Sequence, residues 1–367
     1  MLVTAQLGSS AVGGREQLST LNRDALREIY GDRFAVFELP KRPLKGIKAL
    51  WGALRGHIDG LDHAVISEVV TAIRDGGVGC VVLDGSNLGV LAASIKHDCP
   101  RVEVITFLHN CEARFFLGAL RQRPSVRASG VLLANYLAER CGVRFSDKLI
   151  CLNERDSRLI LRLYGRAATH ISPMAMHDQL PPGAFAISMP PEERYALFVG
   201  GTFYANLQGI EWFVECVASQ APIKTYVVGK GFERWKTRLE RNGNVHVVGA
   251  VGSMAPWYLG AQVVIAPIFD GSGMKTKVAE ALMFGKRVVG TPEAFVGYEA
   301  DVSDIGAICV NPTEFLVALE KEAKAKPSCI DVRLRRIYEA HYSYDAAKAR
   351  LASIIDDLDI PTEVQPS

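Results

Sequence analysis

Short apolar runs alternate with longer amphipathic stretches along this chain, and the whole pattern is played through twice. Phe34–Glu38, Cys80–Leu83, Val102–Phe107 and Lys148–Leu152 are brief, rich in β-branched residues and bounded by polar residues or glycine, as buried strands are. Between them Gln17–Tyr30, Asn87–His97, Ser129–Cys141 and Glu154–Tyr164 have helical spacing. Such alternation predicts βαβ units and a mostly parallel sheet covered on both faces. From Met174 to Pro191 the periodicity lapses, and Pro181-Pro182-Gly183 and Pro190-Pro191 mark an interdomain linker. The pattern then restarts with strands Ala196–Val199, Thr225–Val228, Val245–Val248, Val263–Ala266 and Arg287–Val289. Helices Gly209–Ala218, Phe232–Arg241, Met254–Leu259 and Thr276–Phe284 fall between them, and the tail from about Thr313 reads as helical. Gly285 suits a left-handed residue ending the helix before it. The expected architecture is α/β: two doubly wound domains in series.

Composition narrows the function classes. The chain has 367 residues, 49% hydrophobic and 22% charged, which suits a folded globular protein of two domains. A net charge of +2 argues against a nucleic-acid-binding chain. Residues 1–190 carry 23 basic against 18 acidic side chains and residues 191–367 carry 19 against 22, so the first half is mildly basic and the second mildly acidic. No apolar run approaches the roughly 18 to 20 residues of a membrane-spanning helix. Met1–Gln6 has no signal-peptide character. The eight cysteines are widely spaced with no Cys-x-x-Cys, so the expectation is a reducing cytoplasm, with neither a disulfide framework nor a zinc site.

Doubly wound sheets take ligands beyond the carboxyl ends of their strands, so residues that follow strands carry the chemistry. Four segments qualify. The first, Ala266-Pro267-Ile268-Phe269-Asp270-Gly271-Ser272-Gly273-Met274-Lys275-Thr276-Lys277, runs from a strand through a glycine-rich turn into a helix, with Glu280 one turn further on. Its amides and lysines suit a diphosphate, and the Glu280 carboxylate suits a ribose diol. A plain turn with a surface Lys277–Glu280 pair is the structural alternative. The second is Phe198-Val199-Gly200-Gly201-Thr202, with Asn206 and Gly209 beyond it. The third places His109 and Asn110 directly after a strand, and the fourth places Gly13 and Gly14 before helix Gln17–Tyr30.

Taken together, these segments resemble a GT-B glycosyltransferase, in particular glycosyltransferase family 4 (group 1), in a subgroup common in bacterial surface-polysaccharide biosynthesis. The resemblance runs along nearly the whole chain and is sharpest from Ala196 to Gly297, above all at Gly271–Leu282 with Gly285-Lys286 and Val288-Val289. It implies two Rossmann-like domains facing each other across a cleft. Residues 1–185 would bind acceptor, residues 192–342 would bind donor, and a helix at about 343–360 would pack back on the first domain. The implied activity is that of a hexosyltransferase moving sugar from a nucleotide-diphosphate donor to a saccharide or lipid-linked acceptor. It would retain anomeric configuration, need no metal or other cofactor and use a UDP- or GDP-linked donor, in exopolysaccharide, capsule or lipopolysaccharide biosynthesis.

The family's pattern makes His109, Lys277 and Glu280 the catalytic candidates, with His109 touching the transferred sugar and Glu280 holding the donor ribose. The donor-binding candidates are Gly13, Gly14, Gly201, Thr202, Lys230, Asp270, Ser272, Gly273, Met274, Lys275 and Thr276, with Glu280. This sequence departs from the family at three points. Ser272 stands where the family has its first glutamate, with Asp270 nearby. Gly201 and Asn206 stand where an arginine and a lysine often hold the diphosphate, leaving that charge to Lys275, Lys277 or Lys230. Asn110 stands where many members have aspartate.

Two basic, apolar stretches add an expectation about partners. Residues 40–58 and 114–127, the latter with Arg114-Phe115-Phe116-Leu117, Arg121, Arg123 and Arg127, suit peripheral contact with the inner face of a cytoplasmic membrane; a solvated basic helix face is the alternative. Two further readings stay open. One is a GT-B sugar-nucleotide epimerase or non-catalytic binding subunit, since Ser272 breaks the glutamate pair. The other is a nicotinamide-dependent oxidoreductase, on Gly229-Lys230-Gly231, although Arg234 holds the third glycine's place.

Overall fold

The computed structural model describes residues 1–6, 13–41, 51–186, 194–298, 302–326 and 328–356. Parts of four sequence expectations lie outside these residues: the loop before Gly13, residues 42–50 of the basic stretch 40–58, the end of the linker placed at Met174–Pro191, and the last residues of the helix placed at 343–360. The chain forms two units, Met1–Pro173 with Tyr344–Ser367, and Met174–Ser343.

In the first unit, strands β1 (Leu2–Ala5), β2 (Val36–Leu39), β3 (Cys80–Asp84), β4 (Glu103–Leu108), β5 (Lys148–Cys151) and β6 (His170–Ile171) form one parallel sheet in the order β2-β1-β3-β4-β5-β6. The connecting helices are α1 (Gly14–Tyr30), α2 (His63–Asp75), α3 (Gly89–Asp98), α4 (Glu112–Gln122), α5 (Val126–Phe145) and α6 (Glu154–Tyr164). Helix starts follow local chemistry. Asp62, Ser125 and Asn153 accept hydrogen bonds from Val65 N, Ala128 N and Asp156 N, each satisfying an otherwise unpaired first-turn amide. Val3, Leu83 and Val104 of the strands meet Val65, Val69, Leu91 and Ile95 of α2 and α3 in a fully buried core.

In the second unit, β7 (Tyr195–Val199), β8 (Lys224–Val228), β9 (Val245–Gly249), β10 (Val263–Ala266), β11 (Val288–Gly290) and β12 (Gly306–Ile308) pair in the order β12-β11-β10-β7-β8-β9, again all parallel. The helices are α7 (Tyr204–Cys216), α8 (Lys236–Leu239), α9 (Ala255–Gly260), α10 (Thr276–Met283), α11 (Val302–Ile305), α12 (Pro312–Lys324) and α13 (Val332–Ile337); α14 (Tyr344–Asp356) belongs to the first unit. Gly285 has φ +60° past the end of α10, as its position suggests, and a Cβ there would come within 2.6 Å of Asp331 N. The helix expected over Phe232–Arg241 is instead a 3-10 turn, Phe232–Trp235, followed by the short α8.

The unit boundary lies earlier than the sequence places it. Residues 174–185 group with the second unit. Met174 N donates to Met274 Sδ at 3.2 Å, Met176 N donates to Tyr342 O at 3.0 Å, and the Asp178 carboxylate accepts from Arg335 Nη1 at 2.9 Å. Prolines interrupt the periodicity here without detaching the segment. Among the described residues all eight cysteines are free thiols, and no helix is long and apolar enough to cross a membrane.

Candidate functional site

The sheet of the second unit changes direction at β7: β8 and β9 lie on one side, β10 to β12 on the other. Loops leaving β7 and β10 therefore diverge at neighbouring strand ends, and the crevice between such loops is where doubly wound sheets take ligands. The loop after β7 carries Gly200, Gly201 and Thr202, and the loop after β10 carries Asp270 to Lys275. Two of the segments singled out by sequence thus meet at this switch point.

Close backbone contacts and one amide join them. A Cβ on Gly209 of α7 would come within 1.7 Å of Pro267 O, so only glycine lets α7 lie against the end of β10. Asn206 Nδ2 donates to Gly201 O at 2.9 Å, and its Oδ1 accepts from Lys277 Nζ at 2.9 Å. Lys277 is buried, with Nζ 4.4 Å from the centre of the Phe198 ring. Burial, with Lys275 adding to it, lowers the Lys277 pKa to about 7, against an opposing pull from Glu280. Glu280 Oε2 accepts from the Tyr258 hydroxyl at 2.6 Å. Burial pushes the Glu280 carboxyl up, while Tyr258 and Lys277 oppose the rise. Glu280 is therefore held by a partner from another helix, unlike the simple Lys277–Glu280 surface pair that spacing alone allowed.

The remaining donor candidates divide into two groups. Thr202 lies against Gly231, where a Cβ would approach its Oγ1 to 2.6 Å, so the exposed Lys230 of the loop after β8 neighbours the Gly-Gly-Thr turn. Asp270 Oδ1 accepts from Gly271 N at 2.8 Å, and partly buried Ser272 and Thr276 flank Gly273, which has φ +66°. Two of the candidate side chains are engaged within the protein. Lys275 Nζ pairs with Glu293, in the 3-10 turn after β11, at 3.0 Å and donates to Gly273 O at 3.1 Å. Met274 is buried and accepts from Met174 N, which makes it a packing residue. The Gly229-Lys230-Gly231 run also has a packing reason: Gly229, at φ +147°, lies so close to Gly200 O that a Cβ would be 1.7 Å away. It follows the second strand of the unit and precedes a 3-10 turn, so the dinucleotide fingerprint is absent there.

In the first unit His109, after β4, is buried beside Asp84 at the end of β3. Its Nε2 meets Asp84 Oδ1 at 2.7 Å, and the Thr4 hydroxyl donates to Asp84 Oδ2 at 2.6 Å. Burial alone would push the Asp84 carboxyl up. His109, with hydrogen bonds from His109, Ser19 and Thr4, holds it down to about 2. An ionised Asp84 makes His109 Nε2 the donor, while Nδ1 is buried with no hydrogen-bond partner among the described residues. Asn110 hydrogen-bonds Glu112, whose carboxyl burial lifts to about 7. Gly13 caps α1 with open space where a side chain would stand, and Gly14 begins the helix. A cavity of about 510 Å³ lined by Arg15, Glu16, Lys41, Asp59 and Asp84 opens at the carboxyl ends of these strands. Sequence reasoning missed Asp84, Glu112 and Tyr258. Asp84 had a usable signal, a carboxylate ending a buried strand before a glycine.

Residues 193–322 match the family model described as glycosyl transferases group 1. No curated protein matches the chain. Among solved structures, sucrose-phosphate synthase from Thermosynechococcus elongatus superposes with a TM-score of 0.68 at 15% identity, covering 97% of this chain and 98% of that one. The Anabaena protein HepE, in complex with UDP-glucose, gives 0.66 at 13% identity over 97% and 99% of the two chains. WaaG, a glycosyltransferase involved in lipopolysaccharide biosynthesis, gives 0.61 at 15% identity over 97% and 99%. The two parallel six-stranded sheets and these superpositions give the fold as GT-B, and the chain carries a group 1 glycosyltransferase domain over residues 193–322.

Proposed function

We propose that this chain transfers a sugar from a nucleotide-diphosphate donor to a saccharide or lipid-linked acceptor, with the donor held at the β7–β10 switch point. The observation that carries the reading is the Lys277–Asn206–Gly201 chain of hydrogen bonds, which places a buried cation beside a glycine turn where sheets of this order bind ligands. Breaking the bond between sugar and diphosphate puts growing negative charge on the leaving group. Loop amides already in place, and a lysine that the arriving diphosphate holds in its charged form, stabilise that charge most where it grows. Glu280, pinned by Tyr258, accepts hydrogen bonds from the donor ribose, and His109 is assigned to the transferred sugar on the family's pattern.

The finer reading is a reaction that retains anomeric configuration, needs no metal or other cofactor and serves exopolysaccharide, capsule or lipopolysaccharide assembly. Its support is the family likeness, the UDP-glucose held by HepE and the pathway named for WaaG. A UDP- or GDP-linked sugar is the proposed donor. Peripheral membrane contact through residues 114–127 belongs to the same reading. Arg121, Arg123 and Arg127 are exposed beside Leu117 and Val126, and residues 113–138 hold no acidic side chain. Incubation with a panel of nucleotide sugars and lipid-linked acceptors, followed by NMR of the product's anomeric proton, tests the activity. A product of unchanged configuration is expected, and an inverted one removes the retaining assignment.

A further inference from the structure

Glu280 and Phe284 lie four residues apart, on one face at the end of α10, and Tyr258 engages both. Its ring stacks on Phe284 with centres 4.8 Å apart and planes within 8°, while its hydroxyl donates to Glu280 Oε2 at 2.6 Å. Tyr258 is fully buried, and both neighbours in α9 are anchored. The Tyr195 hydroxyl donates to Trp257 O at 2.8 Å, and buried Lys286 donates to Leu259 O at 2.9 Å. Among the described residues, no other hydrogen bond reaches the Glu280 carboxylate. A glutamate with three rotatable bonds is otherwise free to sample several orientations, and ordering it on binding costs affinity. A short bond from a rigid donor removes that freedom in advance.

We propose that Tyr258 is a positioning residue: by holding Glu280 Oε2 it presents the carboxylate to the hydroxyls of the donor ribose, and so sets the preference for ribonucleotides over 2′-deoxyribonucleotides. This rests on the reading of Glu280 as the ribose acceptor. The test is calorimetric titration of the full chain with UDP and GDP and with their 2′-deoxy counterparts. The chains compared are the unmutated protein, Tyr258→Phe, and Tyr195→Phe, which loosens the same helix without touching Glu280.

A hydrogen bond to a charged group predicts about a tenfold or greater preference for the ribonucleotide in the unmutated protein and in Tyr195→Phe. Tyr258→Phe should bind the ribonucleotide more weakly and have lost most of that preference. An undiminished preference in Tyr258→Phe, or an equal loss in Tyr195→Phe, overturns the inference. Should Tyr258→Phe not fold, Phe284→Leu takes its place, since it loosens the ring's seat and keeps the hydroxyl. Partial loss of preference is then expected, and no loss overturns the proposal. Binding without any preference in the unmutated protein overturns the positioning role alone. Failure to bind any diphosphate overturns the functional reading as well.

Discussion

Lys277 has one neutral hydrogen-bond acceptor and an aromatic face for company, and burial brings its pKa to about 7. In the unfolded chain the same ammonium keeps its proton to about pH 10. The unfolded state therefore binds more protons from about pH 7 to pH 10, and this group alone makes folding stability rise with pH across that window. An arriving diphosphate reverses the balance, because it favours the charged form and draws a proton in with it. Affinity for a nucleotide sugar should thus fall as pH rises above about 7, by up to about tenfold per pH unit. Titrations between about pH 6 and pH 9 measure this, since the diphosphate of a nucleotide sugar does not itself change charge in that range. Lys277→Met should bind weakly and with a flat profile, and a flat profile in the unmutated protein would contradict the role. Lys277, Glu280 and His109 can be nominated from the sequence because each follows a strand at a place where sheets of this class take ligands. Tyr258 was not, since it acts across 22 residues through a bond that no local spacing encodes. The pairing of Lys275 with Glu293 was hidden for the same reason.

At the scale of elements, Glu139 of α5 does the most to fix the first unit's candidate loop. Fully buried, it accepts from Glu112 N at 2.9 Å, Ala113 N at 3.2 Å, the Ser86 hydroxyl at 2.8 Å and the Tyr164 hydroxyl at 2.7 Å. One carboxylate thereby caps the start of α4, immediately beyond His109-Asn110-Cys111, from a position 27 residues further on in α5. Glu139→Ala leaves several buried donors unpaired and should cost about 3 kcal/mol, with each kcal/mol lowering Tm by about 2–4 °C. Urea unfolding of the variant checks it, and a change under about 1 kcal/mol would show the carboxylate to be dispensable. The strongly amphipathic helix α6 was readable from its period, and the β-branched strands β3, β4 and β10 because burial on both faces leaves an unmistakable apolar run. Helices α2 and α4 and strands β6 and β12 were not. β6 has two residues and β12 three, too few for any period, and the arginines of α4 drew attention to its charge rather than its spacing.

For the whole molecule, the repeated alternation was enough to foretell two doubly wound units, since parallel strands joined by helices have few other ways to bury both faces of a sheet. The change of direction at β7 was beyond sequence reasoning, because strand order is a long-range property. It is also what brings the glycine run after β7 beside the one after β10 as one candidate site. The exposed arginines and apolar side chains near Leu117 and Val126 make a prediction at this scale. Vesicles with anionic lipid should carry the protein in flotation at low salt and release it as salt screens the arginines, and no binding at low salt would count against membrane contact.

The most direct test of donor binding is the melting temperature of the full chain with UDP-, GDP-, ADP- and dTDP-sugars in turn. A ligand of the native state at about a hundred times its Kd stabilises by about 2.7 kcal/mol. One sugar nucleotide should raise Tm accordingly, and Lys277→Ala should abolish most of the rise. An unchanged Tm with every nucleotide, or an undiminished rise in Lys277→Ala, would contradict a diphosphate held at the β7–β10 crevice.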